Sequence, residues 1–175
     1  MINKHCSHCG AEHTQTEYPL KCPACKQLTW VNPLPVAVLL QTVGGHDEQG
    51  NARRGILIGR RAIAPHIGEW GLIGGYMECA DESIIDAAVR EFREETNIDL
   101  DMSVYRNDIQ MVSSFCDGRA LLIFSVSDLP ISEDRLADFT PNTETSELKV
   151  AWEPEQLCFS SHTAALADWF KTNAA

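Results

Sequence analysis

Apolar and polar positions divide the chain into short runs that suit strands and one long run that suits a helix. Val36–Val43 is largely apolar and β-branched and predicts a strand. The stretch Gly44-Gly45-His46-Asp47-Glu48-Gln49-Gly50-Asn51 predicts a turn, and Gly55–Gly59 a returning strand. Trp70–Ile73 is a short apolar piece closed by Gly74-Gly75. Ile84, Ile85, Ala88 and Phe92 fall at helical spacing and predict a helix over Asp81–Thr96, with Asp81 as its N-cap. Ile109–Phe115, Ala120–Val126 and Leu148–Trp152 predict further strands. Thr163–Thr172 predicts an amphipathic closing helix through Ala165, Leu166, Trp169 and Phe170. Strands around one strong helix, with a second helix at the end, predict an α/β fold: an α/β/α sandwich on a mixed sheet. There is no internal repeat and no low-complexity tract.

The first thirty-two residues follow a different logic. Cys6, Cys9, Cys22 and Cys25 form two C-x2-C pairs twelve residues apart, with Gly10 and Pro23 beside them to favour tight turns. Two such knuckles supply the four thiolates of a tetrahedral zinc site, and a segment this poor in apolar residues needs a metal to fold. Four protein ligands leave no open position, so this predicts a structural zinc ribbon rather than a catalytic metal; a redox pair or two disulfides are the alternatives. His5, His8 and His13 are expected on the surface. Cys79, Cys116 and Cys158, scattered singly, are expected to be buried small hydrophobes. Asn32-Pro33 and Pro35 punctuate the chain and predict a boundary between a ribbon at 1–32 and a main domain at 33–175.

Composition narrows the class. With 44% hydrophobic residues the chain can bury a core, and no run approaches a membrane span. The start lacks the apolar stretch of a secretory signal, so a cytoplasmic protein is expected. The formal net charge is −11, unevenly spread. Residues 1–32 hold three lysines and two acidic residues (+1); residues 33–175 hold eleven basic and twenty-three acidic ones (−12). An acidic body argues against a nucleic-acid duplex as main partner, but a bound metal ion can reverse the local sign for a small phosphorylated substrate.

Candidate chemistry lies in Gly74–Ile98. On a helix, Glu91, Glu94 and Glu95 stand at i, i+3 and i+4, so three carboxylates share one face. A purely structural helix gains nothing from that repulsion, whereas clustered hard oxygens suit Mg²⁺ or Mn²⁺. Arg90, four residues before Glu94 and four after Asp86, can orient a carboxylate. The glycine pair permits a backbone course that brings the loop bearing Glu78 and Glu82 back toward the helix. A solvated charged helix face is the plain alternative, and the Gly-Gly loop with Glu82 seven residues before Arg90 argues against it.

These residues make the chain resemble the Nudix hydrolase family, whose box reads G-x5-E-x7-R-E-U-x-E-E-x-G-U, with U a bulky apolar residue. The match runs from Gly75 to Ile98. It departs in three places: six residues rather than five separate Gly75 from Glu82, Asn97 replaces the box glycine, and Ile73 stands where many relatives have proline. The ribbon, the Asn-Pro junction, Arg60-Arg61-Ala62 and Gly68-Glu69-Trp70-Gly71 extend the likeness to the branch with an N-terminal zinc ribbon. That branch includes NADH pyrophosphatases, but Gln110-Met111-Val112-Ser113-Ser114-Phe115 replaces their Ser-Gln-Pro-Trp-Pro-Phe-Pro-x-Ser element.

The resemblance implies hydrolysis of a nucleoside diphosphate linked to another moiety, of ADP-ribose, FAD or NADH type, with Mg²⁺ or Mn²⁺ held by Glu91, Glu94 and Glu95. Arg90 and Glu82 join the catalytic set, and Glu147, Glu144 and Glu78 are the candidates for general base. Arg60, Tyr76, Glu78 and Phe115 are the candidate substrate contacts, with Arg61 and Arg119 as further phosphate ligands. Trp70, Trp152 and Phe159 offer further stacking rings, though core packing is the simpler reading of each aromatic. The expected partner is a small nucleotide-type substrate; a membrane is not expected, nor a nucleic acid beyond a capped RNA end, and a homodimer is compatible with the ribbon. An inert metabolite sensor and a zinc-ribbon binding module stand as alternatives, and prenyl-diphosphate isomerisation shares the fold.

Overall fold

The computed structural model describes residues 4–173. Contacts divide the chain between Pro33 and Leu34 into two compact units. In the first, β1 (Leu20–Lys21) pairs antiparallel with β2 (Leu28–Thr29), and a bridge joins His5 to Glu12. Its buried residues are few: Cys6, Leu20 and Cys22, with Thr29 and His13. His13 is therefore not a surface residue as expected; its Nε2 lies 3.2 Å from the Thr29 hydroxyl. His5 and His8 are exposed.

The second unit runs β3 (Leu34–His46), β4 (Ala52–Arg61), β5 (Trp70–Gly71), β6 (Ile73–Tyr76), α1 (Ile84–Thr96), α2 (Met102–Tyr105), β7 (Gln110–Asp117), β8 (Ala120–Ser132), a 3₁₀ turn at Glu133–Asp138, β9 (Thr145–Ala151) and α3 (Ser160–Asn173). Strand β3 is the axis of a mixed sheet. It lies parallel to β8 on one side; on the other it pairs antiparallel with β6 through Val36–Leu39 and with β4 through Thr42–His46. Strand β4 continues past β3 to pair with β5 and β9, and β7 closes the opposite edge against β8. Alternation along β3 feeds two cores. Ala37, Leu39 and Val43 pack with Ala87, Ala88 and Phe92 of α1, whereas Val38 and Leu40 pack with Leu166 and Trp169 of α3. The result is the expected α/β/α sandwich. No helix among the described residues is long and apolar enough to cross a membrane.

Several boundaries differ from expectation for identifiable reasons. Strand β3 runs through Gly44-Gly45-His46, because backbone pairing with Arg54, Arg53 and Ala52 holds these turn-forming residues extended; the turn itself is Asp47–Asn51, where the Asp47 carboxylate accepts from the amides of Gln49 and Asn51. Gly74 and Gly75 do not close a strand but lie inside β6. A side chain at Gly74 would collide with the Ala37 carbonyl, so only glycine admits this pairing. Helix α1 begins at Ile84, capped by Ser83 rather than Asp81: the Ser83 hydroxyl accepts from the Asp86 amide at 3.2 Å. Cys79 and Cys116 are exposed and Cys158 only partly buried, against the expectation of burial, since they lie on a loop, an edge strand and the approach to α3.

Candidate active site

Helix α1 turns Ala87, Ala88 and Phe92 into the core and leaves its charged residues along one flank. Glu91, Glu95 and Glu144 each offer a carboxylate oxygen, and these oxygens all lie within 4.8 Å of one another. Glu91 is only 8% exposed. Its carboxylate lies against Gly75, where any Cβ would strike Glu91 Oε2. Glu95 accepts from the Gly74 amide at 2.9 Å and the Thr145 hydroxyl at 2.8 Å. Burial pushes the Glu95 carboxyl up to about 7 despite those donations, and burial also raises Glu91 against the pull of Arg90. Three acceptor-only groups crowded together, two of them withdrawn from water, fit a hard divalent cation such as Mg²⁺ or Mn²⁺.

Arg90 organises one side of the cluster with all five of its donors. Nε and Nη2 grip Asp81 at 3.1 and 3.0 Å, Nη1 reaches Glu91 at 2.8 Å and Glu94 at 3.0 Å, and Nη2 also donates to the Tyr76 carbonyl at 3.0 Å. The guanidinium holds the Asp81 carboxyl below its ordinary value. Glu94 therefore faces Arg90 from a half-exposed position, outside the group that Glu91 and Glu95 form with Glu144. The expected orienting role of Arg90 goes to Asp81, Glu91 and Glu94; Asp86 is held by Arg106 at 2.6 Å.

The four thiols of the N-terminal unit also converge, with Sγ–Sγ separations of 3.7 Å for Cys6–Cys25 and 3.6 Å for Cys9–Cys22. None is in a disulfide. The amides of His8 and Cys25 donate to Cys6 and Cys22 at 3.4 Å each, and the Cys25 amide is the main influence holding the Cys22 thiol below its ordinary value. Four converging sulfur ligands of this kind could hold a zinc ion.

The NUDIX domain family model matches residues 39–170. The chain belongs to the NUDIX domain family. A solved NUDIX hydrolase from Nitrosomonas europaea is 22% identical, with a TM-score of 0.64 over 98% of this chain and 93% of that one. A mutT/nudix family protein from Listeria innocua is 18% identical, with a TM-score of 0.58 over 82% of this chain and 95% of that one. The NUDIX domain of Shewanella oneidensis NrtR, solved with ADP ribose, is 18% identical, with a TM-score of 0.54 over 82% and 89%. At these identities the likeness is one of fold. A search of curated proteins gave no match.

Within this Nudix domain the extra loop residue has a structural resolution. Asp81, separated from Gly75 by five residues, makes the ion pair with Arg90, while Glu82 is exposed. Glu147 is paired with Arg60 at 3.1 Å on the exposed rim of β4 and β9, and Arg60 Nε also holds the Gly68 carbonyl. Tyr76 is 58% exposed at the end of β6, beside the loop of Glu78. Phe115 is exposed on β7, separated by β8 and β3 from β6, whose Gly74 and Gly75 lie against Glu95 and Glu91. Trp70 and Trp152 are covered by Lys149 and Arg53, and Arg61 lies over Phe159. Asp81 and Thr145 were missed from sequence. The box spacing of five intervening residues after Gly75 points to Asp81; no local signal marks Thr145.

Proposed function

We propose that this protein is a divalent-cation-dependent hydrolase of the pyrophosphate bond in a nucleoside diphosphate linked to another moiety, ADP-ribose being the simplest member of that class. The observation that carries this is the convergence of Glu91, Glu95 and Glu144 within 4.8 Å, beside an arginine whose donors are all engaged. Membership of the Nudix family supports the hydrolase class, and the ADP ribose bound to the NrtR domain supports a ligand of this kind. An intact carboxylate cluster favours hydrolysis over a metabolite sensor. The zinc ribbon is proposed as a structural element.

Glu91, Glu95 and Glu144 would hold Mg²⁺ or Mn²⁺, which would neutralise phosphate charge and lower the pKa of a bound water. In the reaction, water oxygen bonds to one phosphorus, the P–O bond to the bridging oxygen breaks, and a nucleoside monophosphate and a phosphorylated second moiety leave. The water's proton passes to a carboxylate outside the cation's ligands. Glu147 is engaged by Arg60, and Glu78 stands exposed on the loop joined to Asp81 through its own amide at 2.7 Å. We assign the proton to Glu78. Tyr76, exposed at the end of β6, would stack on the base, and Arg60 would meet a phosphate.

The test is Glu95→Gln, which keeps size and removes one ligand charge. Turnover on ADP-ribose and related dinucleotides with Mg²⁺ or Mn²⁺ is expected to fall at least ~100-fold, since several kcal/mol of charge stabilisation is lost and ~1.4 kcal/mol is tenfold. The melting temperature without cation is expected to hold or rise, as like-charge crowding is reduced. Normal turnover in the folded variant overturns the reading.

A further inference from the structure

The asparagine in place of the family's glycine at position 97 does more than tolerate a left-handed backbone. Asn97 caps α1 with φ 58°, and its amide also donates to the Thr140 carbonyl at 3.1 Å. Two residues on, Asn142 works as a second fastener with both ends of its side chain. Its Nδ2 donates to the carbonyls of Glu94 at 3.2 Å and Glu95 at 3.0 Å, which are among the unpaired carbonyls of the helix's last turn. Its Oδ1 accepts from the amides of Glu144 and Thr145, each at 2.9 Å. Thr145 then donates to Glu95 Oε2, and the Ala62 amide holds the Glu144 carbonyl at 2.7 Å. The two bonds to Asn142 Oδ1 fold the 140–145 loop on itself, and the others join it to the end of α1 or to Ala62, just past β4. Glu144 itself is exposed and is brought to Glu91 and Glu95 by its backbone alone.

We propose that Asn97 and Asn142 form a two-point clip that positions Glu144 against Glu91 and Glu95, and so sets the protein's affinity for its divalent cation. They are positioning residues: neither belongs to the carboxylate cluster, and both act on the loop that carries one of its members. Without the clip the loop is held only where it enters β9, by the Ala62 amide on the Glu144 carbonyl and by the Thr145 hydroxyl on Glu95. Three like-charged carboxylates then separate, since repulsion drives the free one outward, and a cation must recapture it. This rests on the reading of the cluster as a cation site, and affinity rather than intrinsic chemistry is what the clip governs.

The experiment measures Mn²⁺ binding by calorimetry without substrate, turnover against Mn²⁺ concentration, and melting temperature, in the full chain. The variants are Asn97→Gly, Asn142→Ala, Glu144→Gln and Glu95→Gln. Asn97→Gly keeps the left-handed cap and removes only the amide, so it remains informative if Asn142→Ala folds poorly. Removing an orienting group about a metal site costs roughly 10–100-fold in affinity, and a clip variant is expected to weaken Mn²⁺ by about tenfold or more. Turnover of Asn97→Gly should return to the parent's level at saturating Mn²⁺, a recovery that general destabilisation would not produce. Parent-like Mn²⁺ affinity in both clip variants, or in Glu144→Gln, overturns the proposal. If the parent chain binds no Mn²⁺, or Glu95→Gln binds it unchanged, the cation-site reading itself fails, and the clip with it.

Discussion

His162 shows how one buried side chain can make folding depend on pH. Its ring is 5% exposed, edge-on to Phe124 and Phe159, and its Nδ1 accepts from the Leu72 amide at 3.1 Å. Burial, with Arg61 adding to it, depresses its pKa from 6.5 to about 4, so the folded protein holds the neutral ring. A depressed folded value means that the unfolded chain binds the proton more readily. The contribution to stability is thus complete above about 6.5 and is lost as pH falls toward 4. At ~1.4 kcal/mol per unit, up to about 3 kcal/mol is at stake. Denaturant unfolding of the parent and His162→Gln at pH 7.5, 5.5 and 4.5 should show the parent losing more stability over this range. Parallel losses would remove His162 as the cause.

At the scale of the element, the N-terminal approach to α1 decides which acid serves Arg90. Asp81 has 7% of its side chain exposed and grips the guanidinium through two oxygens, whereas Glu82 is exposed. Removing Asp81 leaves the Nε and Nη2 donors of a largely buried guanidinium without their acceptor, even though Glu91 and Glu94 stay paired with it, at a cost of about 2 kcal/mol. Asp81→Ala is expected to lower stability by that order and to reduce turnover, because Arg90 also orients Glu91. Glu82→Gln is expected to change neither by more than about 0.5 kcal/mol, the usual range for exposed sites. Unfolding curves and turnover for the pair decide this; the reverse ranking would return the role to Glu82. The helix was legible in the sequence through its 3.6-residue period. Its cap and its ion-pair partner were not, because Asp81, Glu82 and Ser83 are all competent acceptors, and only the path of the loop distinguishes them.

At the scale of the molecule, two units rest on different stabilising forces. The Nudix unit has two apolar cores around its sheet, while the N-terminal unit buries little beyond Leu20, Cys6 and Cys22, with His13 and Thr29. One zinc per chain is therefore expected, and the ribbon should unfold without it. Metal analysis should find that stoichiometry, and Cys22→Ser should lose it while the main thermal transition persists. A zinc-free protein with four freely titrating thiols would refute the assignment.

Local pattern by itself determined whatever is periodic or closely spaced in this protein: the helix with Glu91 and Glu95 one turn apart, the main strands of the sheet, and the two cysteine pairs, since backbone geometry converts those spacings directly into shared faces. Only the tertiary structure decided that Glu144 joins Glu91 and Glu95, and that Asn97 and Asn142 fasten the loop that carries it. Those outcomes depend on where β4 and β9 carry a distant loop past the end of α1. Residues nearly fifty positions apart meet there through the summed packing of the sheet, and no local spacing records that meeting.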